Sequence, residues 1–209
     1  MFANATPQRI PLLCWLLTAG WLLATSLAQA TEPSDAQRAA FKQAYALAQQ
    51  GGDSWRSLAD GLHGYPLYAY LPAAALEHDI QQTDRATVEA YLKQYPDWIP
   101  AADLRRDFLL ELARRQDWND FLALYQPGLG DALSCDALQG RLARGEPLDF
   151  DKDLSALWDK PSLPAACDPV LDAAHDQGLL TSNRLWTRID LAADAGQGGT
   201  IGKLAGWLS

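Results

Sequence analysis

Hydrophobic and polar positions recur with the period of an α-helix in several segments of the chain. The clearest is residues 101–116, where Leu104, Phe108 and Leu112 follow one another at four-residue steps and Leu109 fills the same stripe. Such spacing places apolar side chains on one face of a helix. The charged residues fall mostly on the remaining face: Arg105, Arg106, Glu111 and Arg115. The pattern therefore predicts a helix over residues 101–116.

Start and stop signals divide the rest of the chain into further short helices. Ser34 and Gln37 form a capping box, Gly51 and Gly52 end the helix that it opens, and Asp53 can cap the next one. Further helices are predicted at residues 67–76, after Thr83 or Asp84, after Asp117, at 132–144, 154–158, 169–177 and 183–193, and from near Thr200. No segment alternates over a useful length, so we expect about ten short helices and essentially no sheet.

The dipeptide Leu-Ala recurs before a polar or glycine-containing break and gives the chain a weak internal repeat. It begins at Leu47, Leu112, Leu142 and Leu191, so the spacing is irregular. A small alanine at the end of one helix allows the next helix to cross closely. The repeat favours an all-α superhelical solenoid of short stacked helical hairpins, similar to tetratricopeptide arrays. One irregular helical bundle is the alternative.

The first thirty residues have the features of a secretory signal peptide. Arg9 precedes a mostly apolar run, and Ala28-Gln29-Ala30 provides the small-x-small pattern that signal peptidase recognises. Cleavage is expected between Ala30 and Thr31, which leaves residues 31–209 as the folded part. A retained transmembrane anchor is the alternative.

The charge of the chain narrows its possible partners. The net charge is −9, and it becomes −10 without residues 1–30 because Arg9 is their only charged residue. Nucleic acids and anionic membrane surfaces attract clustered Lys and Arg, which an acidic chain does not offer. We therefore expect no nucleic acid and, after signal removal, no membrane among the partners.

Export of the protein also affects the expected oxidation state of its cysteines. Loss of the signal removes Cys14 and leaves Cys135 and Cys167, which are 32 residues apart. Because exported proteins meet an oxidising environment, this pair is expected to form a disulfide. Two free buried thiols are the alternative. Two cysteines without histidines at ligand spacing cannot complete a zinc site, and we expect neither a metal nor another cofactor.

No catalytic motif is present in the sequence. The densest acidic groups, Asp117-Asp120 and Asp149-Asp151-Asp153, fall at predicted helix starts, where carboxylates cap backbone N–H groups. Residues 196–203 have some features of a phosphate loop but lack its Ser or Thr, so a turn between helices is predicted. The histidines are isolated along the chain and are expected at the surface or in turns: His63, His78 and His175.

Among the features of the sequence, only the aromatic side chains indicate a binding role. Sugars stack on aromatic faces, so a concave surface bearing some of these rings suits a glycan strand. The candidates are Trp55, Tyr68, Tyr70 and Trp98. The favoured alternative is that most of these rings fill the interfaces between helices.

Four segments, in order along the chain, resemble the soluble lytic murein transglycosylase family. They are Tyr-Pro-Leu-Tyr-Ala-Tyr-Leu at 65–71, Leu-Leu-Glu-Leu-Ala-Arg-Arg-Gln-Asp-Trp at 109–118, the paired Cys135 and Cys167 with residues 157–158 and 164–168, and Arg-Ile-Asp-Leu-Ala at 188–192. Each segment is short, and the specificity lies in their order. The resemblance runs from about Ala39 to Leu208.

The resemblance implies a periplasmic protein with a superhelical, U-shaped domain of short helices. In this family a separate lysozyme-like domain cleaves the bond between N-acetylmuramic acid and N-acetylglucosamine and leaves a 1,6-anhydro end, with the glutamate of a Glu-Ser pair as acid and then base. None of the five glutamates here precedes a serine, and the similar segments belong to the N-terminal part of the superhelix. No catalytic residue can therefore be transferred, and we expect the catalytic lysozyme-like domain to be absent from this chain.

Three functions remain as hypotheses. The first is the non-catalytic superhelical part of a lytic transglycosylase, which positions peptidoglycan glycan strands or scaffolds the enzyme. The second is a stand-alone periplasmic helical-repeat adaptor that binds other envelope proteins. The third is an enzyme with an unfamiliar site.

Overall fold

The computed structural model describes residues 32–208, and this part of the chain is helical, without a β-strand. Its α-helices are α1 (Asp35–Ala48), α2 (Arg56–Ala59), α3 (Tyr70–His78), α4 (Arg85–Gln94), α5 (Ile99–Arg115), α6 (Trp118–Leu124), α7 (Asp131–Ala143), α8 (Ser155–Trp158), α9 (Asp168–Asp176), α10 (Ser182–Asp194) and α11 (Gly198–Gly206). A π-helical turn (Phe150–Leu154) precedes α8, and a 3-10 turn (Ala165–Cys167) precedes α9. The predicted all-α class is confirmed. The predicted signal segment, with Ala30 and Thr31, lies outside the described residues.

Local capping explains the helix starts that were predicted correctly. Ser34 Oγ accepts from the Gln37 backbone N–H at 3.2 Å, and Gln37 Oε1 accepts from the Ser34 N–H at 3.0 Å. This reciprocal pair is the predicted capping box. Asp84, rather than Thr83, caps α4, because its carboxylate accepts from the Thr87 backbone N–H at 2.7 Å. The same hydrogen bond lowers the pKa of Asp84.

Two predicted aspartate caps are absent from the structure. The Asp53 carboxylate accepts from Arg56 Nε at 2.6 Å, and the residue before α2 is Trp55, whose backbone is already helical. Asp53 therefore forms a salt bridge instead of capping α2. Asp117 does precede α6, but its side chain accepts no hydrogen bond from the helix backbone.

The third helix starts later than predicted, at Tyr70 instead of Leu67. The preceding backbone forms tight turns between residues three apart, as in the bonds from Tyr68 N to Tyr65 O at 2.9 Å and from Tyr70 N to Leu67 O at 3.0 Å. Such turns carry the same apolar spacing as the first turn of an α-helix, so the side-chain pattern cannot separate them.

Helix α5 is the centre of the fold and was predicted within two residues at its start. The predicted stripe of Leu104, Phe108, Leu109 and Leu112 is completely buried. Glu111 departs from the expectation of an exposed polar face, because it is buried. Its carboxylate accepts two hydrogen bonds of 2.7 Å from Arg114 on the same helix, and this pairing lowers its pKa. The arginine fork thus satisfies the buried charge.

Three hydrophobic clusters follow one another along the chain. The first comprises residues of α1 to α3 between Ala44 and Ala74, the second runs from Ala73 to Ala137 around α5, and the third runs from Cys135 to Leu204. Neighbouring clusters share a helix: α3 contributes residues to the first and second clusters, and α7 contributes residues to the second and third. This sequential packing is the arrangement of a solenoid of stacked helical hairpins, and the predicted fold class is confirmed.

Only some copies of the Leu-Ala repeat lie where two helices pack closely. Ala48 and Ala192 are completely buried, but Ala143 is exposed at the end of α7. The repeat therefore indicates helix ends more reliably than helix crossings. The turn predicted at residues 196–203 is shorter than expected: of these residues only Gly196 and Gln197 lie between α10 and α11, because α11 begins at Gly198. Helix α11 packs back on the third cluster through Leu204, and Trp207 stacks on His175 with ring centroids 5.0 Å apart.

Candidate functional site

A cleft of about 520 Å³ lies beside α7 and is the candidate binding site that we call the α7 cleft. Helix α6, the loop after it, the π-helical turn and α8 supply its other walls. Its lining residues are Leu122, Tyr125, Pro127, Asp131, Ser134, Ala137, Leu138, Arg141, Lys152, Asp153, Ala156, Leu157 and Lys160. The volume lies within the range of about 300–1,000 Å³ that is usual for small-ligand sites.

Ion pairs fix the walls of the α7 cleft. Arg141 reaches across from α7 and donates to Asp153 at 2.6 Å and to Glu146 at 3.1 Å. The bond to Asp153 raises the pKa of the Arg141 guanidinium. Burial opposes ionisation of Asp153, but the hydrogen bond from Arg141 prevails and lowers the pKa of this carboxyl. At the other end of the cleft, Lys160 donates to Asp131 at 2.5 Å.

The remaining polar groups of the cleft are two hydroxyls and an exposed ammonium. The Tyr125 hydroxyl lies 3.1 Å from Ser134 Oγ, which in turn donates to the Gly130 carbonyl at 2.9 Å. Lys152 is exposed at the rim of the cleft. An aromatic ring, a hydroxyl pair and an exposed ammonium can bind a polar ligand by stacking and hydrogen bonding. Both cleft carboxylates are held by cations, which suits binding better than proton transfer.

Two carboxyl groups in the described part of the chain have a raised pKa, but neither lines the α7 cleft. Burial raises the pKa of Glu77, with Asp107 and Asp103 adding to the shift, and the side chain lies on an exposed surface of α3. Burial also raises the pKa of Asp136 on α7, whose carboxylate accepts from Gln139 Nε2 at 3.3 Å. A raised pKa outside a cleft does not provide a general acid for a bound substrate.

The predicted cysteine pair meets in the third hydrophobic cluster. Cys135 on α7 and Cys167 in the 3-10 turn are both completely buried, with Cα atoms 4.9 Å apart and their sulfur atoms within bonding distance. This geometry agrees with the predicted disulfide rather than with two separate thiols. The pair fixes the start of α9 against α7 and lies next to Asp131 of the α7 cleft, whose carbonyl oxygen is 3.8 Å from Cys167 Sγ.

The aromatic candidates do not form one sugar-binding surface. Trp55 is buried in the first cluster, and Tyr68 and Tyr70 are half-buried. Trp98 alone of these four is exposed, with 40% of its surface accessible. Tyr125, which the sequence did not indicate, lines the α7 cleft because α6 ends there. The other residues that line the cleft lie up to 35 positions from Tyr125 in the sequence, so no local spacing pattern predicts that they form one site.

The histidines lie apart from one another, each beside a residue close to it in the sequence or packed on it. His63 lies against Tyr68, with ring centroids 4.8 Å apart, and His78 Nδ1 lies 2.8 Å from Asp79. Within residues 32–208, no three His, Cys, Asp or Glu side chains are grouped to hold a metal ion. No helix of this same region is both long and apolar enough to cross a membrane.

Comparisons with known proteins show which proteins this chain resembles. No family model matches it. The soluble lytic murein transglycosylase of Escherichia coli K12 is 32% identical over 200 residues, which cover 92% of this chain and 30% of the relative. The protein of the same description from Salmonella typhimurium is 31% identical over 173 residues, which cover 81% of this chain and 26% of the relative.

Solved structures agree with the sequence matches. The crystal structure of the 70-kDa soluble lytic transglycosylase from Escherichia coli matches with a TM-score of 0.73 and 30% identity, over 85% of this chain and 29% of that one. The lytic transglycosylase Slt from Pseudomonas aeruginosa, solved as an inactive mutant, matches with a TM-score of 0.67, over 79% and 28% of the two chains. The chain thus spans about 30% of the length of the relatives it matches.

Proposed function

Because the chain is homologous to soluble lytic murein transglycosylases and has the fold of their helical domain, we propose that residues 31–209 form the N-terminal part of such a superhelical domain. Its role is to position peptidoglycan glycan strands, or to scaffold the enzyme, and it does not itself cleave the glycan. The observation that carries this proposal is the agreement of sequence and fold over more than four-fifths of the chain.

The chemistry of the α7 cleft supports binding without catalysis. Its carboxylates, Asp131 and Asp153, are each held by a cation at 2.5–2.6 Å. A glycosidic oxygen needs a protonated carboxyl as its acid, and Asp153 is unsuited to that role because the hydrogen bond from Arg141 lowers the pKa of its carboxyl. Tyr125 offers a ring face, and Lys152 offers N–H donors for sugar hydroxyls or carboxylates. We propose that a segment of glycan strand binds in this cleft.

Three features support a periplasmic location. Residues 1–30 have the pattern of a cleaved signal, and Cys135 and Cys167 are placed for a disulfide, which persists in oxidising compartments. The relatives act on murein, as their names state, and murein is assembled outside the cytoplasmic membrane. We propose the periplasm as the place where this protein meets its glycan ligand.

Sedimentation with insoluble peptidoglycan tests the binding role. We expect the protein to co-sediment with purified sacculi and the variant Lys152→Ala to reduce the bound fraction several-fold. Lys42→Ala is the matched control, because Lys42 is an exposed lysine of α1, remote from the cleft, and it should bind like the unchanged protein. Absence of co-sedimentation would refute the positioning role and leave scaffolding.

Product analysis of the same mixtures tests the non-catalytic role. We expect no soluble fragments with 1,6-anhydro ends after prolonged incubation. Their release by the purified chain, at a rate above that of a heat-denatured sample, would show that the chain is an enzyme with an unfamiliar site.

The second candidate is a periplasmic adaptor that binds other envelope proteins. It is favoured by the adjacent Trp98 and Ile99, which expose 40% and 69% of their surfaces. Exposed apolar side chains at neighbouring positions are a feature of protein interaction surfaces. Under this hypothesis, a partner recovered with the unchanged protein should be lost with Ile99→Ser, while binding to sacculi is retained.

A further inference from the structure

Arg188 is among the largest side chains that the described part of the chain buries almost completely. It lies on α10 with 2% of its surface exposed, and its Nε and Nη1 donors are buried without a hydrogen-bond partner among the described residues. Its guanidinium lies over the ring of Trp158, with Cζ 4.5 Å from the ring centroid. A ring face attracts the cation but does not accept in-plane N–H bonds.

A cavity of about 260 Å³ lies beside this arginine, between α9, α10, α11 and the segment before the 3-10 turn. Leucine side chains form an apolar wall, and Arg188 contributes a charged group. The lining residues are Leu163, Asp168, Leu171, Arg188, Gly199, Thr200, Lys203 and Leu204. The cavity shares no lining residue with the α7 cleft.

The carboxylate in the cavity lining pairs with a lysine rather than with Arg188. Asp168 accepts from Lys203 Nζ at 2.9 Å, and the same lysine also donates to Asp172 at 3.0 Å. By contrast, Arg141 is more exposed than Arg188 and still has two carboxylate partners, Glu146 and Asp153. Burial of a cation opposes folding unless an anion or hydrogen-bond acceptors compensate it. Burial correspondingly lowers the pKa of Arg188. The fold therefore places the Arg188 guanidinium, without an ionic partner within residues 32–208, at the edge of this cavity.

We infer that this cavity binds a carboxylate carried on a small apolar group, such as the C-terminal residue of a short peptide, with Arg188 as the residue that binds the carboxylate. A guanidinium presents parallel donors that match the two oxygens of a carboxylate. The leucine wall suits an apolar substituent, and the volume is below that of sites for drug-sized ligands. The inference is independent of the function proposed for the α7 cleft.

Titration of the full chain with N-acetylalanine tests this site, with both enantiomers as probes. The Nε–H resonance of Arg188 and the stability of the protein are followed together. We expect saturable binding with a dissociation constant on the order of millimolar and a shift of the Arg188 resonance. N-acetylalaninamide has the same shape without the charge and should bind at least tenfold more weakly. Equal binding of the amide would overturn the inference.

Variants assign the binding to the cavity. Arg188→Gln should weaken binding of N-acetylalanine at least tenfold. Arg184→Gln is the matched control, because Arg184 lies one turn earlier on α10, packs on Phe150 with Cζ 3.5 Å from the ring centroid, and is outside the cavity lining. It should bind like the unchanged protein. Unaltered binding by Arg188→Gln, or equal losses in both variants, would contradict the assignment.

A cavity-filling variant covers the case in which Arg188→Gln does not fold. Thr200→Phe keeps the arginine and places a ring in the cavity from the partly exposed start of α11. We expect this variant to fold and to lose at least tenfold in affinity for N-acetylalanine. Binding that survives the filled cavity would show that the carboxylate binds elsewhere and would refute the site.

Discussion

The hydroxyl of Tyr91 donates a hydrogen bond of 2.8 Å to the backbone carbonyl of Ala69, 22 residues earlier in the chain. Tyr91 belongs to α4, and Ala69 is the residue just before α3. Both residues are buried, so neither polar atom has water as an alternative partner. Burial raises the pKa of Tyr91 above its ordinary value, so the hydroxyl remains a donor well into the alkaline range.

The variant Tyr91→Phe removes this bond and keeps the ring. We expect it to lower the free energy of unfolding by about 0.5–1.5 kcal/mol, because the Ala69 carbonyl loses its side-chain donor but keeps the Ala73 backbone N–H at 3.4 Å. Tyr95→Phe is the matched control: its hydroxyl accepts from Gln94 Nε2 at 3.0 Å near the surface and should change stability by a few tenths of a kcal/mol. Urea denaturation measures both, and equal stabilities of the two variants would contradict the prediction.

Helices whose signals are local could be predicted from the sequence. The apolar stripe of α5 needs only the spacing of its own residues, and the cap at Ser34 needs only Gln37 three positions later. The start of α3 needs more, since turns between Tyr65 and Tyr70 bury the same side chains as a helical turn. The sequence alone does not decide whether the Asp53 carboxylate binds the backbone of α2 or Arg56, because both partners lie within three residues of it.

The candidate sites could not be predicted, because they depend on packing between distant segments. Tyr125 and Lys152 share the α7 cleft although all of α7 lies between them in the sequence. Arg188 lies between Thr187 and Ile189 in the sequence, and its burial depends on the placement of Trp158, 30 positions earlier, and of α11. The cysteine pair is the exception, because covalent chemistry and compartment restrict its partners more than packing does.

The link between Cys135 and Cys167 is expected to stabilise the third hydrophobic cluster. A disulfide that encloses a loop of 32 residues restricts the unfolded chain and contributes about 3–4 kcal/mol. The double variant Cys135→Ala/Cys167→Ala should lose about this amount in urea denaturation. Reduction of the unchanged protein with dithiothreitol is the internal control and should lower its stability to a similar level. If the oxidised and reduced forms unfold at the same urea concentration, the link does not support the fold.

Asp136 should make stability depend on pH. Burial raises its pKa in the folded state, so the folded protein binds a proton more readily than the unfolded chain does. The penalty from its charge is therefore present at neutral pH and disappears as the pH falls through the raised pKa. Asp136→Asn should raise stability at pH 7 by on the order of 1 kcal/mol, with a gain that shrinks towards pH 4.

The control for this prediction is Asp190→Asn, which makes the same exchange at an exposed position within α10. The change in helix propensity is common to the two variants, so their difference isolates the effect of burial. Thermal unfolding at several pH values between 4 and 8 measures it. A gain for Asp136→Asn that does not vary with pH would show that the carboxyl charge is not its cause.

Gly51 and Gly52 form the turn after α1, and their environments predict different responses to a side chain. Both have a left-handed backbone, with φ of 80° and 72°, so alanine at either site costs about 1–2 kcal/mol. A Cβ at Gly51 would also collide with the ring of His78 at the end of α3, whereas a Cβ at Gly52 meets nothing within 4 Å. Gly51→Ala should therefore lose more stability than Gly52→Ala.

A double-mutant cycle identifies the collision as the cause of the difference. His78→Ala removes the ring, so the combination Gly51→Ala/His78→Ala should lose less than the sum of its single variants, whereas Gly52→Ala/His78→Ala should be additive. Urea denaturation of the variants provides all the required values. Additivity at both glycines would mean that the half-exposed His78 ring rotates away from the added Cβ without cost.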